Sequence, residues 1–244
     1  MNRVAFTLFG MDIMWYGILL AIGMIAAIFI ALRESKRLGI KEDDILNIAM
    51  IAIPCGIIGA RIYYVIFNWS FYSGNFSEIL NFRGGGLAIH GGILAGVLAG
   101  FIYTKVKKLN FFKVADCVIL GLPLAQAIGR WGNYLNQEAH GGPTDLPWGI
   151  MVDGVKVHPT FLYESIWNVG VFIFLFLFRK KQKYEGQILV NYVILYSIGR
   201  FFIEGLRTDS LMLGPLKMAQ VISILFIICG VVLNYVLSKK YKTN

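Results

Sequence analysis

The chain reads as an all-α integral membrane protein of seven transmembrane helices. Three observations predict this. Hydrophobic residues make up 57% of the 244 positions and charged residues only 15%. Mean hydropathy is +0.65. The apolar residues also gather in runs close to the roughly 20 residues that a helix needs to cross a hydrocarbon core about 30 Å thick. Water-soluble globular classes fit such a composition poorly. No repeat or low-complexity linker divides the chain, so a single polytopic domain over residues 1–244 is expected.

The expected spans run approximately from Met14 to Leu32, Ile45 to Phe67, Leu87 to Thr104, Val114 to Leu135, Phe161 to Phe178, Ile188 to Glu204 and Met218 to Leu237. The first resembles a signal peptide in position. It is followed by Arg33, Lys36 and Arg37 rather than a small-residue cleavage site, so it is expected to be retained. In the third, Gly92, Gly96 and Gly100 recur at helical spacing, which suits close helix packing. The fourth and sixth are the most polar, and both contain arginine. Cys55, Cys117 and Cys229 all fall in spans, far apart and without pairing or metal-ligand spacing, and read as small buried hydrophobes.

A net charge of +9 invites a nucleic-acid reading, but the basic residues follow topology rather than one patch. Fifteen of the 23 lie in Arg33 to Lys41, Lys105 to Lys113, Arg179 to Lys183 and Lys239 to Lys242. Only five, Arg3, Arg83, Lys156, Arg207 and Lys217, belong to the other side. Cytoplasmic loops carry the excess of Lys and Arg, so the N-terminus is expected outside and the C-terminus in the cytoplasm. The remaining three, Arg61, Arg130 and Arg200, sit inside spans.

That orientation sets the depth of each unusual polar residue. Arg61, Arg130 and Arg200 lie toward the ends of helices running outward, and Tyr16, His90 and Glu164 near the starts of helices running inward. All six are therefore expected in the outer third of the membrane. Asp116, at the cytoplasmic end of the fourth span, is the exception and is expected to cap, since Asp near a helix N-terminus is favourable.

The densest polar stretch is Gly129 to Gly142, GRWGNYLNQEAHGG, where a continuing helix would carry Arg130, Asn133 and Gln137 on one face. On the sixth span Tyr196, Arg200, Glu204 and Arg207 fall within a sector of about 80°. An arginine near mid-span costs about 2.5 to 3.5 kcal/mol on insertion scales, so it normally faces a partner or a wet cavity. The plain alternatives are an Arg200–Glu204 ion pair at i+4 and snorkelling, the latter closest to hand for Arg61. Arginine's planar fork donates two parallel bonds to a phosphate and stays charged, so two arginines at headgroup depth point to a phospholipid. His90, the only histidine within a span, is either a packed interfacial residue or a proton acceptor beside the phosphate. His140 and His158 lack an HExxH arrangement, which argues against zinc. Gly84 to Gly86 lack the Lys-Ser/Thr of a P-loop.

The stretches GRWGNYLNQEAHG, WYG at Trp15 to Gly17, GARIYY at Gly59 to Tyr64, RGGGLAIHGG at Arg83 to Gly92, HPTFLYES at His158 to Ser165 and YSIGRFFIEGLR at Tyr196 to Arg207 resemble, in order, the motifs of the bacterial phosphatidylglycerol–prolipoprotein diacylglyceryl transferases. The segment from Asn68 to Phe82 and the last span match only in general character. The resemblance implies a multi-pass enzyme of the bacterial cytoplasmic (inner) membrane. It would transfer diacylglyceryl from phosphatidylglycerol to the lipobox cysteine thiol of a prolipoprotein signal peptide, forming a thioether and releasing glycerol 1-phosphate, with no metal or soluble cofactor. It implies His90, Arg130 and Arg200 as the principal catalytic residues, supported by Tyr16, Asn133, Glu138, Gly141, Tyr196 and Glu204. Arg61, Asn136 and Arg207, in or beside the same motifs, are expected to complete the substrate-binding set.

The residues suit that chemistry in their own right. A thiol with a pKa near about 8.5 is little ionised at neutral pH, and a base would raise the thiolate fraction. His90 either takes that proton or positions a lipid hydroxyl. Arg130 and Arg200 can hold charge on the departing phosphate oxygen. A transporter of an anionic solute is the alternative, but no inverted or six-helix repeat is evident. A membrane serine protease is disfavoured because no serine has glycine two residues before it.

Overall fold

A computed structural model describes residues 3–74, 76–82, 85–208 and 210–242. Arg83 and Gly84, the first two residues of the RGGGLAIHGG motif, lie outside the described residues. The described chain is mostly helical. In order come the strands β1 (Val4–Leu8) and β2 (Met11–Met14), then α1 (Trp15–Leu38), α2 (Glu42–Phe67), two single turns α3 (Trp69–Tyr72) and α4 (Phe76–Ile79), α5 (Ile89–Val106), α6 (Phe111–Ile119) and α7 (Leu122–Asn136). After these come β3 (Ile150–Val152), β4 (Val155–Val157), α8 (Thr160–Phe178), α9 (Gln187–Leu206), β5 (Met212–Leu213), β6 (Leu216–Lys217) and α10 (Met218–Lys242).

Among the described residues six helices are long and apolar enough to cross a membrane, or there are seven crossings if the bent pair α6 and α7 counts as one. That pair replaces the single fourth helix expected from Val114 to Leu135. The bend of 42° falls at a break between Ile119 and Leu122, where Gly121 precedes and Pro123 enters the next helix. Proline lacks an N–H and disfavours helical backbone just before it, so the break has a local cause. The three antiparallel hairpins, β1–β2, β3–β4 and β5–β6, depart from the all-helical expectation. Two turn on the pairs Phe9-Gly10 and Asp153-Gly154, both residues of each pair having positive φ, as a tight two-residue turn demands.

The chain divides into two compact units, Met1–Arg33 with Ala115–Asn244, and Glu34–Val114. In the first, α1 and α7 approach through small residues. A Cβ added at Gly23 would come within 2.9 Å of the Ala125 carbonyl oxygen, and one at Gly121 within 2.7 Å of Ala27 Cα. The apolar core joins Leu120, Val171, Leu175, Ile188 and Tyr192. Asp116 does cap a helix, but the helix is α9 rather than its own. Its carboxylate accepts from the Gly186 and Leu189 amides at 2.6 and 2.8 Å and from Gln182 Nε2 at 2.5 Å. Of the three cysteines only Cys117 is buried; Cys229 is exposed on α10 and Cys55 half-buried, which corrects the uniform expectation. Cys117 Sγ donates to the Ala31 carbonyl.

In the second unit α2 and α5 pack through glycine. A Cβ at Gly59 would sit 2.7 Å from the Gly91 carbonyl oxygen, and one at Gly92 or Gly96 would meet the Gly56 or Ala52 oxygen at 3.3 and 3.5 Å, so the packing role read for the third-span glycines holds for these two, while Gly100 meets only Ile48 at 4.0 Å. Tyr103 on α5 donates to Asp44 at 2.8 Å and accepts from Asn47.

Candidate active site

Arg130 and Arg200 each lie six residues before the last residue of their helix, α7 and α9. Tyr16 is the second residue of α1 and Glu164 the fifth of α8. Within the first unit, three of these helix ends carry one ionic cluster. Glu164, only 4% exposed, sits at its centre. One of its oxygens contacts Arg130 Nη2 at 2.7 Å, and the other lies 3.1 Å from Arg200 Nη1 and 3.8 Å from Arg207 Nη1. Arg200 Nη2 reaches Glu204 at 2.7 Å, so the i+4 ion pair weighed as the plain alternative is present. It does not exhaust Arg200, which has a second acid across the helix gap.

Around this centre a residue of its own helix holds Arg130 from the other side. Arg130 Nη1 donates to Asn133 Oδ1 at 3.4 Å, and the Asn133 and Asn136 amides donate to Glu138 Oε1 at 3.0 and 3.3 Å. Asn133, Asn136 and Glu138 thus form one chain of contacts leading to Arg130. Gln137 does not share their helix face: α7 ends at Asn136, and Gln137 turns left-handed with φ 55°. That turn folds Glu138 back under the helix end. Ala139 is also left-handed, so two non-glycine residues in this uncommon region flank Glu138.

Gly141 ties the loop to α9. Its amide donates to the His158 carbonyl, and the Gly142 amide donates to that of Leu206. A Cβ at Gly141 would meet His158 Cβ at 2.6 Å and the Leu206 oxygen at 3.0 Å, so the position has no room for a side chain. Arg207 follows the end of α9 in extended backbone instead of continuing the helical stripe, which corrects the expected i+11 placement. It still reaches Glu204 at 3.8 Å. Lys217 Nζ donates to the carbonyls of Glu204, Gly205 and Arg207, closing the C-terminal end of α9 with a cation. Ser210 donates to Glu204 Oε1 at 2.5 Å.

The aromatic members have clear settings. Tyr16 lies on Gly132, where an added Cβ would fall 2.0 Å from the tyrosine ring. Tyr196 stacks on Tyr192 with ring centroids 5.6 Å apart.

Arg61 and His90 belong to the second unit. Arg61 is not a snorkelling residue: it is 3% exposed and donates to four backbone carbonyls, those of Glu78, Ile79, Gly85 and Gly86, at 2.5 to 3.0 Å. Its guanidinium also lies over the Tyr72 ring. Most of its donors are therefore committed to shaping the segment before α5 rather than left for a substrate. His90, second residue of α5, is exposed beside Tyr63 at 6.3 Å between ring centroids.

Glu164, Lys217 and Ser210 were not assigned site roles from the sequence. Glu164 carried the strongest signal, as the one acid in the apolar stretch from Phe161 to Phe178. Among the described residues no three His, Cys, Asp or Glu side chains gather in a way that could hold a metal ion.

Residues 3–236 match the family described as Prolipoprotein diacylglyceryl transferase. Among relatives, the phosphatidylglycerol–prolipoprotein diacylglyceryl transferase of Clostridioides difficile (strain 630) is 72% identical, covering 100% of this chain and 98% of the relative. The proteins of that name from Finegoldia magna and Clostridium novyi (strain NT) are each 52% identical, covering 99% and 96% of this chain and 96% and 95% of theirs. With its family match running almost from end to end and its arginines and acids gathered at the ends of α7, α8 and α9, the chain belongs to the prolipoprotein diacylglyceryl transferase family.

Proposed function

We propose that the chain transfers the diacylglyceryl group of phosphatidylglycerol to the lipobox cysteine thiol of a prolipoprotein signal peptide. It does so as one polytopic domain of the bacterial cytoplasmic membrane, with seven crossings, its N-terminus outside and its C-terminus in the cytoplasm. The observation that carries the reading is the pair Arg130 and Arg200, brought from two helices onto one buried carboxylate. Each spends two contacts on protein acceptors, and the Nε–H of each meets no acceptor among the described residues. Donors therefore remain for a phosphate.

In the proposed reaction the thiol sulfur attacks the lipid's glycerol carbon and forms the C–S bond. The bond between that carbon and the phosphate ester oxygen breaks, and its electron pair stays on the oxygen, which remains on phosphorus and departs as part of glycerol 1-phosphate. Arg130 and Arg200 stabilise the charge gathering on that oxygen, which in a dry site counts for more than in water. The thiol proton passes to His90, the one histidine at a helix start in an apolar span. Asn133, Asn136 and Glu138 hold Arg130, and Gly141 and Arg207 hold the end of α9, with Tyr16, Tyr196 and Glu204 beside them. Arg61 serves through the segment ahead of His90. Phosphatidylglycerol, the prolipoprotein and the bilayer are the partners, and nucleic acid is not one. The names of the relatives lend no support to the transporter alternative.

The test is transfer of labelled diacylglycerol from phosphatidylglycerol to a lipobox peptide by the purified chain. Label on the cysteine supports the reading; solute transport or peptide cleavage without label overturns it.

A further inference from the structure

We propose that Glu164 is a positioning residue that sets both the spacing and the anion affinity of the arginine pair, an inference that rests on the transferase reading above. Its carboxylate is divided, one oxygen to Arg130 at 2.7 Å and the other to Arg200 at 3.1 Å, with Arg207 3.8 Å from the latter oxygen. It is the only side chain among the described residues that an ion pair joins to all three arginines. Three guanidinium groups this close repel one another in a poorly hydrated site, and an acid buried to 4% exposure is the counter-charge that keeps the first two facing one point.

The division of the carboxylate has a second effect. Each arginine gives Glu164 one terminal nitrogen and a different acceptor the other, Asn133 for Arg130 and Glu204 for Arg200. The Nε edges stay available, so an incoming phosphate adds to the carboxylate instead of displacing it. Glu164 thereby weakens the pair's hold on any anion. The substrate is a phosphodiester with one negative charge, while the product is a phosphate monoester carrying about 1.5 to 2 near pH 7. A cradle without Glu164 would hold the product more strongly than the substrate, and release would slow. The acid that orients the forks also lets the glycerol phosphate leave.

The experiment compares the full-length protein with Glu164→Gln and Glu164→Asp in detergent micelles, measuring transfer from phosphatidylglycerol and inhibition by glycerol 1-phosphate. Anion binding is read separately from the shift in thermal unfolding produced by glycerol 1-phosphate and by inorganic phosphate. Glu164→Gln keeps shape and loses charge; its turnover should fall at least about tenfold while its inhibition constant for glycerol 1-phosphate falls about tenfold, roughly the effect of one charge-assisted contact. Glu164→Asp keeps the charge but cannot span both arginines, and should show both effects at about threefold or more. A residue of merely structural use would lose turnover with unchanged or weaker anion binding, and that result overturns the proposal. If only the Asp variant folds, turnover and inhibition both at wild-type level overturn it equally. Failure of the transferase reading would appear separately, as wild-type protein that moves no label yet still reports anion binding by thermal shift.

Discussion

Replacing Arg200 with lysine keeps the charge and removes the fork, and the structure lets the cost be worked out. Arg200 uses different terminal nitrogens for two acids, Glu164 at 3.1 Å and Glu204 at 2.7 Å. A lysine ammonium is one point on a flexible stem, so it can serve one of these well and cannot also present two parallel bonds to a phosphate. Losing one charge-assisted bond to the phosphate is worth about 1.5 to 3 kcal/mol, or roughly ten- to a hundredfold in kcat/KM. The forfeited carboxylate contact should appear separately, as a lower unfolding temperature. Arg130→Lys offers an internal comparison. Its second contact, to Asn133, is neutral and long at 3.4 Å, so this variant should lose a similar factor in kcat/KM but less stability. Both are measured by transfer of label to a lipobox peptide at matched protein levels, with thermal unfolding alongside. If both lysine variants stayed within about threefold of wild type, the arginines would be structural ion-pair members and the phosphate reading would be wrong.

Gly132→Ala should depress transfer sharply, since its Cβ would lie 2.0 Å from the Tyr16 ring and overpacking typically costs about 1 to 3 kcal/mol. Gly170→Ala, in open space on α8, should be neutral or slightly stabilising, and equal losses in the two would remove Tyr16 from the argument. His90→Ala should lower turnover by about 10² to 10⁴ and recover in part as pH rises from about 6 to 9, because more of the peptide thiol ionises unaided. Arg130→Ala should show no such recovery, and matching flat profiles would place His90 in lipid binding rather than proton transfer. Single cysteines at Lys41, Lys108 and Lys183 should resist an impermeant thiol reagent applied to intact cells; modification from outside would reverse the proposed topology.

The apolar periods gave away the long helices, because burial in lipid demands unbroken hydrophobic runs and little else competes with that signal. The ends were harder. The break before Leu122 depends on one glycine and one proline inside a run that otherwise reads as continuous. The hairpins hide in strands of only two to five residues, although Asp153-Gly154 between Val152 and Val155 is a strong two-residue turn signal. In the site, arginine was conspicuous because charge in a span is costly. The depth argument placed Glu164 among the unusual residues without revealing that it links helices, since pairing partners 34 and 36 residues away leave no local mark. Arg61 shows the reverse difficulty. Its residue type suggested a snorkel and its motif a place in substrate binding, whereas its donors meet carbonyls of a segment with no pattern of its own.

Asp116 binds the start of α9 and Arg200 stands toward its other end, and the distance between them carries a consequence for precision. A helix of 20 residues is about 30 Å long and roughly 10 to 12 Å across with its side chains, so turning it by about 10° moves a surface group by roughly 1 Å. An error of about that size in a reacting geometry can cost some two orders of magnitude in rate. The Gly186 and Leu189 amides held by Asp116 prevent such a turn at the root of the helix. The angular accuracy with which Arg200 would meet the phosphate proposed for it is therefore set in part about three turns away, by a buried acid that binds the first amides of the helix.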